Sequence, residues 1–250
     1  MPECQSAQTC TIRDTCPYAR IFEPAPLGEG PSGLSDWPRP FVFRANHLDG
    51  LTILTGQSFY FDVNLFDVRD PLIESFATTF AQIGREGLGP GRSCALLTGV
   101  DREPSILDLN PLVEPVHGVR VKFVAPTELK HGHQLASRPD FPILMSRVRD
   151  RLSTLSSLYG EGPLPLDFAA FGQRSEHVTM TGCELQQVAV SRISSRTGQR
   201  HSLGGFVGTA EYEGDLREFI PFLIAAQFTG VGRQTTWGKG EIEVQSRVLC

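Results

Sequence analysis

Hydrophobic and polar positions change period along the chain, and the changes mark its elements. Val119 to Ala125 alternates apolar with polar residues and predicts a strand. Phe41 to Arg44 and Gln57 to Asp67 are rich in aromatic and β-branched residues and predict two more. In Pro71 to Arg85 the apolar residues Leu72, Ile73, Phe76, Phe80 and Ile83 fall at helical spacing. Gly84, Gly87, Gly89 and Gly91 predict the end of that helix, before a strand over Cys94 to Val100. Phe141 to Tyr159 predicts a helix with Ile143, Leu144, Val148, Leu152, Leu155 and Leu158 on one side. Strands are predicted over Leu185 to Ile193, Leu203 to Tyr212 and Glu241 to Val248, with a helix over Asp215 to Thr229 capped by Asp215.

Over residues 119 to 248 the order is strand, helix, strand, strand, helix, strand. That is the ferredoxin-like α+β unit, an antiparallel sheet with both helices on one face. Residues 41 to 100 repeat only the later part, so the expected fold is a tandem of ferredoxin-like (RRM-like) units, the first incomplete. Either that unit is reduced, with a proline-rich arm covering its sheet edge, or the chain begins downstream of an ancestral strand and helix. The arm itself, with Cys4, Cys10 and Cys16 and a Pro/Gly/Ser-rich connector to Pro40, reads as extended. The expected division is 1–40 arm, 41–117 partial unit and 118–250 complete unit.

Composition narrows the class. In 250 residues, 40% hydrophobic and 20% charged exclude a disordered tail or a coiled coil. The best apolar run, Phe219 to Phe228, falls well short of the about 20 residues of a spanning helix. The start lacks a secretory signal pattern, so the expectation is no membrane and a cytoplasmic location. The cysteine series has C-x5-C spacing rather than the C-x2-C of zinc sites, and no metal or other cofactor is expected. His131 and His133 flank Gly132 without further ligands, and His117 and His177 have no special setting.

A net charge of −5 argues against a polyanionic partner on average, yet 20 of the 23 basic residues are arginine and the acids are unevenly placed. No acid lies between Glu184 and Glu211, where Arg192, Arg196 and Arg200 recur beside His201. Between Glu218 and Glu241 only Arg233 and Lys239 carry charge. Both windows are locally cationic, as a phosphate backbone requires.

The second window holds Gly230-Val231-Gly232-Arg233-Gln234-Thr235-Thr236-Trp237-Gly238-Lys239-Gly240. It fails as a mononucleotide loop: five residues separate Gly232 from Gly238, Gly240 follows Lys239, and the order is helix to strand. Its donors, Arg233, Gln234, Thr235, Thr236 and Lys239, suit a polyanion backbone better. Phe59, Tyr60 and Phe61 read first as a core strand rather than a base-stacking platform.

Taken with Ser194 to Gly208, this segment resembles the C-terminal domain of the Cas6 family, the CRISPR repeat-RNA endoribonucleases of the RAMP superfamily. Cys16-Pro17-Tyr18-Ala19-Arg20-Ile21-Phe22-Glu23-Pro24 and Arg39-Pro40-Phe41-Val42-Phe43-Arg44 also look like that family, and the missing first strand and helix resemble its short form in type IV CRISPR systems. The resemblance implies a tandem ferredoxin-like fold and processing of CRISPR precursor RNA. A repeat hairpin is bound and cut by attack of its own 2′-hydroxyl, without metal, leaving a 2′,3′-cyclic phosphate.

That chemistry needs a base, an acid and stabilisation of charge on the phosphorane. Histidine, with an ordinary pKa of about 6.5, is the usual acid and base. His201 and His47 are the catalytic candidates, with Arg233 for the charge. Arg192, Arg196 and Arg200 are expected on phosphates, and Gly230, Gly232, Gln234, Thr235 and Lys239 along the stem or the scissile region. Arg20, Arg39 and Arg44 complete the expected RNA-binding set, and with Arg233 they carry catalysis electrostatically if the histidine of the family's first helix is missing. Implied partners are the crRNA 3′ hairpin and other Cas proteins of an effector complex. The alternatives are a non-cleaving hairpin-binding subunit, and a ferredoxin-like enzyme unrelated to RNA, which the acidic total favours.

Overall fold

A short helix, α1 (Pro17–Phe22), stands where the extended arm is expected: Pro17 sits in its first turn, and Ala19 and Ile21 are buried. The computed structural model describes residues 10–24, 37–67, 72–89, 91–193, 198 and 200–247, without side-chain detail at 191–193, 200–202 and 247. It divides into two compact units, Met1–Pro40 with Leu65–Ile106, and Phe41–Asn64 with Leu107–Cys250. None of the described helices is long and apolar enough to cross a membrane.

The first unit is built on α1 and α2 (Ile73–Glu86), whose buried Phe76 and Gly84 mark its inner side. The strand expected over Cys94 to Val100 is absent. After the single bridge between Leu88 and Ser93, Ala95 N–H donates to Gly84 O at 2.8 Å, so the segment starts by bonding a helix rather than a neighbouring strand. A Cβ on Gly84 would come within 2.5 Å of Ala95 O, which is why this close approach uses glycine.

In the second unit β1 (Phe41–Arg44) pairs with β2 (Asp62–Leu65). The strand expected from Gln57 is shorter: Phe59 and Tyr60 precede it in irregular, exposed chain. Next come β3 (Gly118–Thr127), the short pair β4 (Lys130–His131) and β5 (Gln134–Leu135), α3 (Phe141–Tyr159) and α4 (Phe168–Ser175). Helix α4 was not legible from periodicity, but Asp167 caps it, accepting from Ala169 N and Ala170 N at 3.0 Å.

The predicted strand Leu185 to Ile193 is two: β6 (Thr179–Val188) and β7 (Ser191–Ile193), the latter paired with β8 (Arg200–Ser202). β9 (Gly205–Glu213), α5 (Ile220–Thr229) and β10 (Ile242–Arg247) complete the unit. Asp215 is not the cap of α5. Its carboxylate binds Arg217 at 2.8 Å, and the helix begins five residues later after a turn ending at Phe219.

The four long strands pair antiparallel in the order β10, β3, β9, β6. With α3 and α5 as crossovers this is the ferredoxin-like unit predicted. Val119, Val121, Phe123, Phe206, Ala210 and Tyr212 turn their side chains into the core against Leu144, Met145 and Val148 of α3 and Ile220, Leu223 and Ala226 of α5. Truncating any one of these large side chains to alanine removes about 2 to 5 kcal/mol. The other face is cross-paired, Arg120 Nε on Glu211 at 2.7 Å and Lys122 Nζ on Glu243 at 2.9 Å. Among the described residues it carries no aromatic side chain, so it offers no stacking platform.

Candidate nucleic-acid interface

The hairpin β7–β8 sets Arg192 opposite His201 and Ile193 opposite Arg200. Three of the expected RNA-facing residues therefore come from one two-stranded element. Arg196 lies outside the described residues. At the root of the hairpin Leu203 N–H donates to Val190 O at 2.7 Å, and Gly204 follows.

Helix α5 ends at Thr229, and the glycine-rich segment closes on itself. Val231 N–H donates to Gly240 O at 2.9 Å, and Gly240 N–H to Pro126 O at 3.2 Å. Gly240, at φ 67°, is tolerated there by glycine alone, because a Cβ would lie 1.9 Å from Val231 O. Arg233 N–H donates to Glu128 O at 3.2 Å, which fixes the segment to the chain following β3.

Inside this ring Lys239 is enclosed. Its ammonium donates to Gly204 O at 2.6 Å and to Glu128 Oε2 and Gln234 Oε1 at 3.1 Å each. Burial lowers its pKa, and the Glu128 carboxylate opposes the shift. With its three donors engaged, Lys239 has none left for a phosphate, so the expectation that it lines the RNA is corrected. It instead joins the two acid-poor stretches, Gly204 belonging to one and Lys239 to the other. Thr235 is likewise internal, against Gly230, and the Gln234 side chain is turned to Lys239. Gly232 is pressed to the chain behind it, where a Cβ would lie 2.3 Å from Glu128 O. Arg233 differs: its side chain is 54% exposed, with Nη1 3.7 Å from Glu128 Oε2.

Arg44 is also internal, which corrects its placement on the RNA. Its Nη2 donates to Gln227 O at 2.8 Å and to Phe228 O at 3.2 Å, and Asn64 Nδ2 donates to Phe228 O at 2.8 Å. Arg151 of α3 donates from Nε to Thr229 O at 2.6 Å. These side chains satisfy the last carbonyls of α5, the negative end of its dipole, where the glycine-rich segment starts. Burial lowers the Arg44 pKa, and burial together with the Arg44 charge pushes Arg151 down to about 9. Arg151 was missed in the sequence. The signal was an arginine between Val148 and Leu152 on a helix read only for its apolar residues.

His47 bonds Tyr60 O through Nε2 at 2.9 Å and stacks on the Tyr60 ring at 4.7 Å. A carbonyl only accepts, so Nε2 carries the proton here. Arg20 and Arg39 belong to the other unit. Arg20 pairs with Asp67 at 2.7 Å, and Arg39 Nε donates to Phe22 O at 3.0 Å.

Residues 121–242 match the family model of the CRISPR-associated endoribonuclease Cas6, and residues 1–120 match a family described as an N-terminal domain (AF_1859_N). No curated protein sequence matches the chain. Among solved structures, the Cas6 (TTHB231) product complex is 18% identical over 83% of this chain and 83% of that chain, with a TM-score of 0.57. The Cas6 (TTHA0078) product complex is 18% identical over the same shares, with a TM-score of 0.52. Thermus thermophilus Cas6 (TTHB231) is 21% identical over 52% of this chain and 54% of that chain, with a TM-score of 0.42, so there the match spans about half of its length. The first two likenesses concern the fold alone. Residues 121–242, just under half of the chain, are thus similar to the Cas6 family of CRISPR-associated endoribonucleases.

Proposed function

We propose that the chain binds the hairpin of a CRISPR repeat RNA and cuts at its base by attack of the RNA's own 2′-hydroxyl, a reaction that needs no metal because the nucleophile belongs to the substrate. The observation that carries this reading is the bond from Lys239 Nζ to Gly204 O at 2.6 Å, which holds the glycine-rich segment against the root of the arginine-bearing hairpin. Arg192, Arg196 and Arg200 contact phosphates. Arg233, the exposed cation of the ring, stabilises charge on the phosphorane together with the backbone amides beside it. His201 serves as acid or base, and His47 does so once its bond to Tyr60 is released. Solved relatives named as product complexes support this reading.

The division into a 1–40 arm, a 41–117 partial unit and a 118–250 complete unit, action in the cytoplasm, and retention of the product beside other Cas proteins belong to the same proposal. Incubating the pure chain with end-labelled repeat RNA in EDTA tests it. The expected result is one cut ending in a 2′,3′-cyclic phosphate, slowed by about 10²- to 10⁴-fold in His201→Ala. Tight binding without a cut establishes the non-cleaving hairpin-binding subunit instead.

A further inference from the structure

Beside Glu128 and Gly204, the two residues that Lys239 joins, lies a cavity of about 290 Å³, lined also by Leu135, Ala136, Val188 and Gly205. Its size is at the lower end of the about 300–1,000 Å³ of small-ligand sites, enough for one planar ring system. A Cβ at Gly204 would lie 2.5 Å from Val188 O, and one at Gly205 2.5 Å from Thr127 O, so this stretch of wall is backbone packed too closely for any larger residue. Leu135 is 52% exposed at the mouth, a large apolar side chain without a cover.

The chemistry of the wall distinguishes a base from a phosphate. Its carboxylate, Glu128, lies 3.1 Å from the Lys239 ammonium and 3.7 Å from Arg233 Nη1, and as an acceptor-only group it pairs with N–H donors rather than with phosphate oxygens. A carboxylate accepts up to about four hydrogen bonds, so Glu128 keeps acceptor capacity beside Lys239. Gln187 adds an amide that both donates and accepts. The matching ligand is flat, apolar on its faces and carries adjacent N–H donors on one edge. Guanine, with N1–H beside its 2-amino group, is the RNA base of that description.

We propose that this cavity takes one unpaired guanine of the bound RNA, with Glu128 accepting from its N1–H and 2-amino edge. The inference rests on the RNA-binding reading above and names a base that the chain selects beside the hairpin. The site is built before RNA arrives, since Glu128 in its wall is already fixed by Lys239.

Titrating the full chain with 5′-GMP, 5′-IMP, 5′-AMP, 5′-CMP and 5′-UMP by calorimetry tests it without requiring cleavage. GMP is expected to bind tightest, and IMP, which lacks the 2-amino group, at least about tenfold more weakly. Ala136→Phe fills the cavity and abolishes GMP binding. Leu135→Ala, at an exposed position that leaves the fold intact, weakens it. Equal affinity for all five nucleotides, no GMP binding at millimolar concentration, or GMP binding unchanged in both variants overturns the inference. A chain that discriminates GMP from IMP but cuts no RNA keeps this site and loses the cleavage reading. A chain that cuts RNA with no base preference does the reverse.

Discussion

Lys239 and Glu128 form an enclosed ion pair, Nζ 3.1 Å from Oε2, with side chains 5% and 10% exposed. Removing one partner leaves the other charge buried, and breaking such a pair costs about 3 to 5 kcal/mol. Lys239→Met and Glu128→Leu are each expected to lower the unfolding free energy by about that amount. The double variant should recover most of it, since two apolar side chains replace the pair without stranding a charge. Urea unfolding of the four proteins measures the cycle. Additive losses would show that the two residues act apart.

Arg151 makes stability depend on alkaline pH. Burial, with the Arg44 charge beside it, pushes its guanidinium down to about 9, well below the ordinary arginine value that it keeps in the unfolded chain. Below pH 9 the folded chain holds a charge that burial and Arg44 disfavour. Above it the unfolded chain binds the extra proton, so this position contributes stability that rises with pH, by up to about 1.4 kcal/mol per pH unit. Arg151→Met removes the slope. Unfolding of both proteins at pH 8, 9 and 10 should show the wild type gaining on the variant, and a constant difference contradicts the shift.

Two glycines separate strain from mere flexibility. Gly240 and Gly132 both have positive φ, but a Cβ at Gly240 meets Val231 O at 1.9 Å, whereas at Gly132 nothing lies within 4 Å. Gly132→Ala is expected to cost about 1 kcal/mol and Gly240→Ala at least twice that. Only the second should also abolish binding of repeat RNA. Thermal unfolding with a filter-binding assay distinguishes them.

Replacing Arg192, Arg196 and Arg200 together with alanine is expected to weaken repeat-RNA binding and flatten its salt dependence. The slope of log affinity against log salt should fall by about one per lost phosphate contact. Affinity that is unchanged at both low and high salt would remove these arginines from the interface. The same series in Lys239→Met should weaken binding with the slope nearly intact, because Lys239 organises the ring and touches no phosphate.

The second half of the fold was legible because its signals are periodic. Alternation at Val119 to Ala125 and the apolar side of Phe141 to Tyr159 mark residues that enter one core. The N-terminal half was harder to read, because composition marks Cys94 to Val100 as a strand but only a neighbouring ladder makes it one, and Ala95 bonds a helix instead. Charge composition marks candidate residues along the chain but carries no information on their depth. Arg44 and Lys239 look like Arg192 and Arg233 in a sequence, and only their partners, helix carbonyls in one case and Glu128 with Gly204 in the other, reveal that they face inward. Arg151 could not be found by looking for acid-free windows, since it sits in a helix next to Asp150.

The tether from Lys239 to Gly204 also bears on how these segments diverge in evolution. One aliphatic stem with a charged tip spans two stretches 35 residues apart, so an insertion or a substitution that displaces either is felt by the other. The root of the hairpin and the ring must change in concert, or the tether must be replaced.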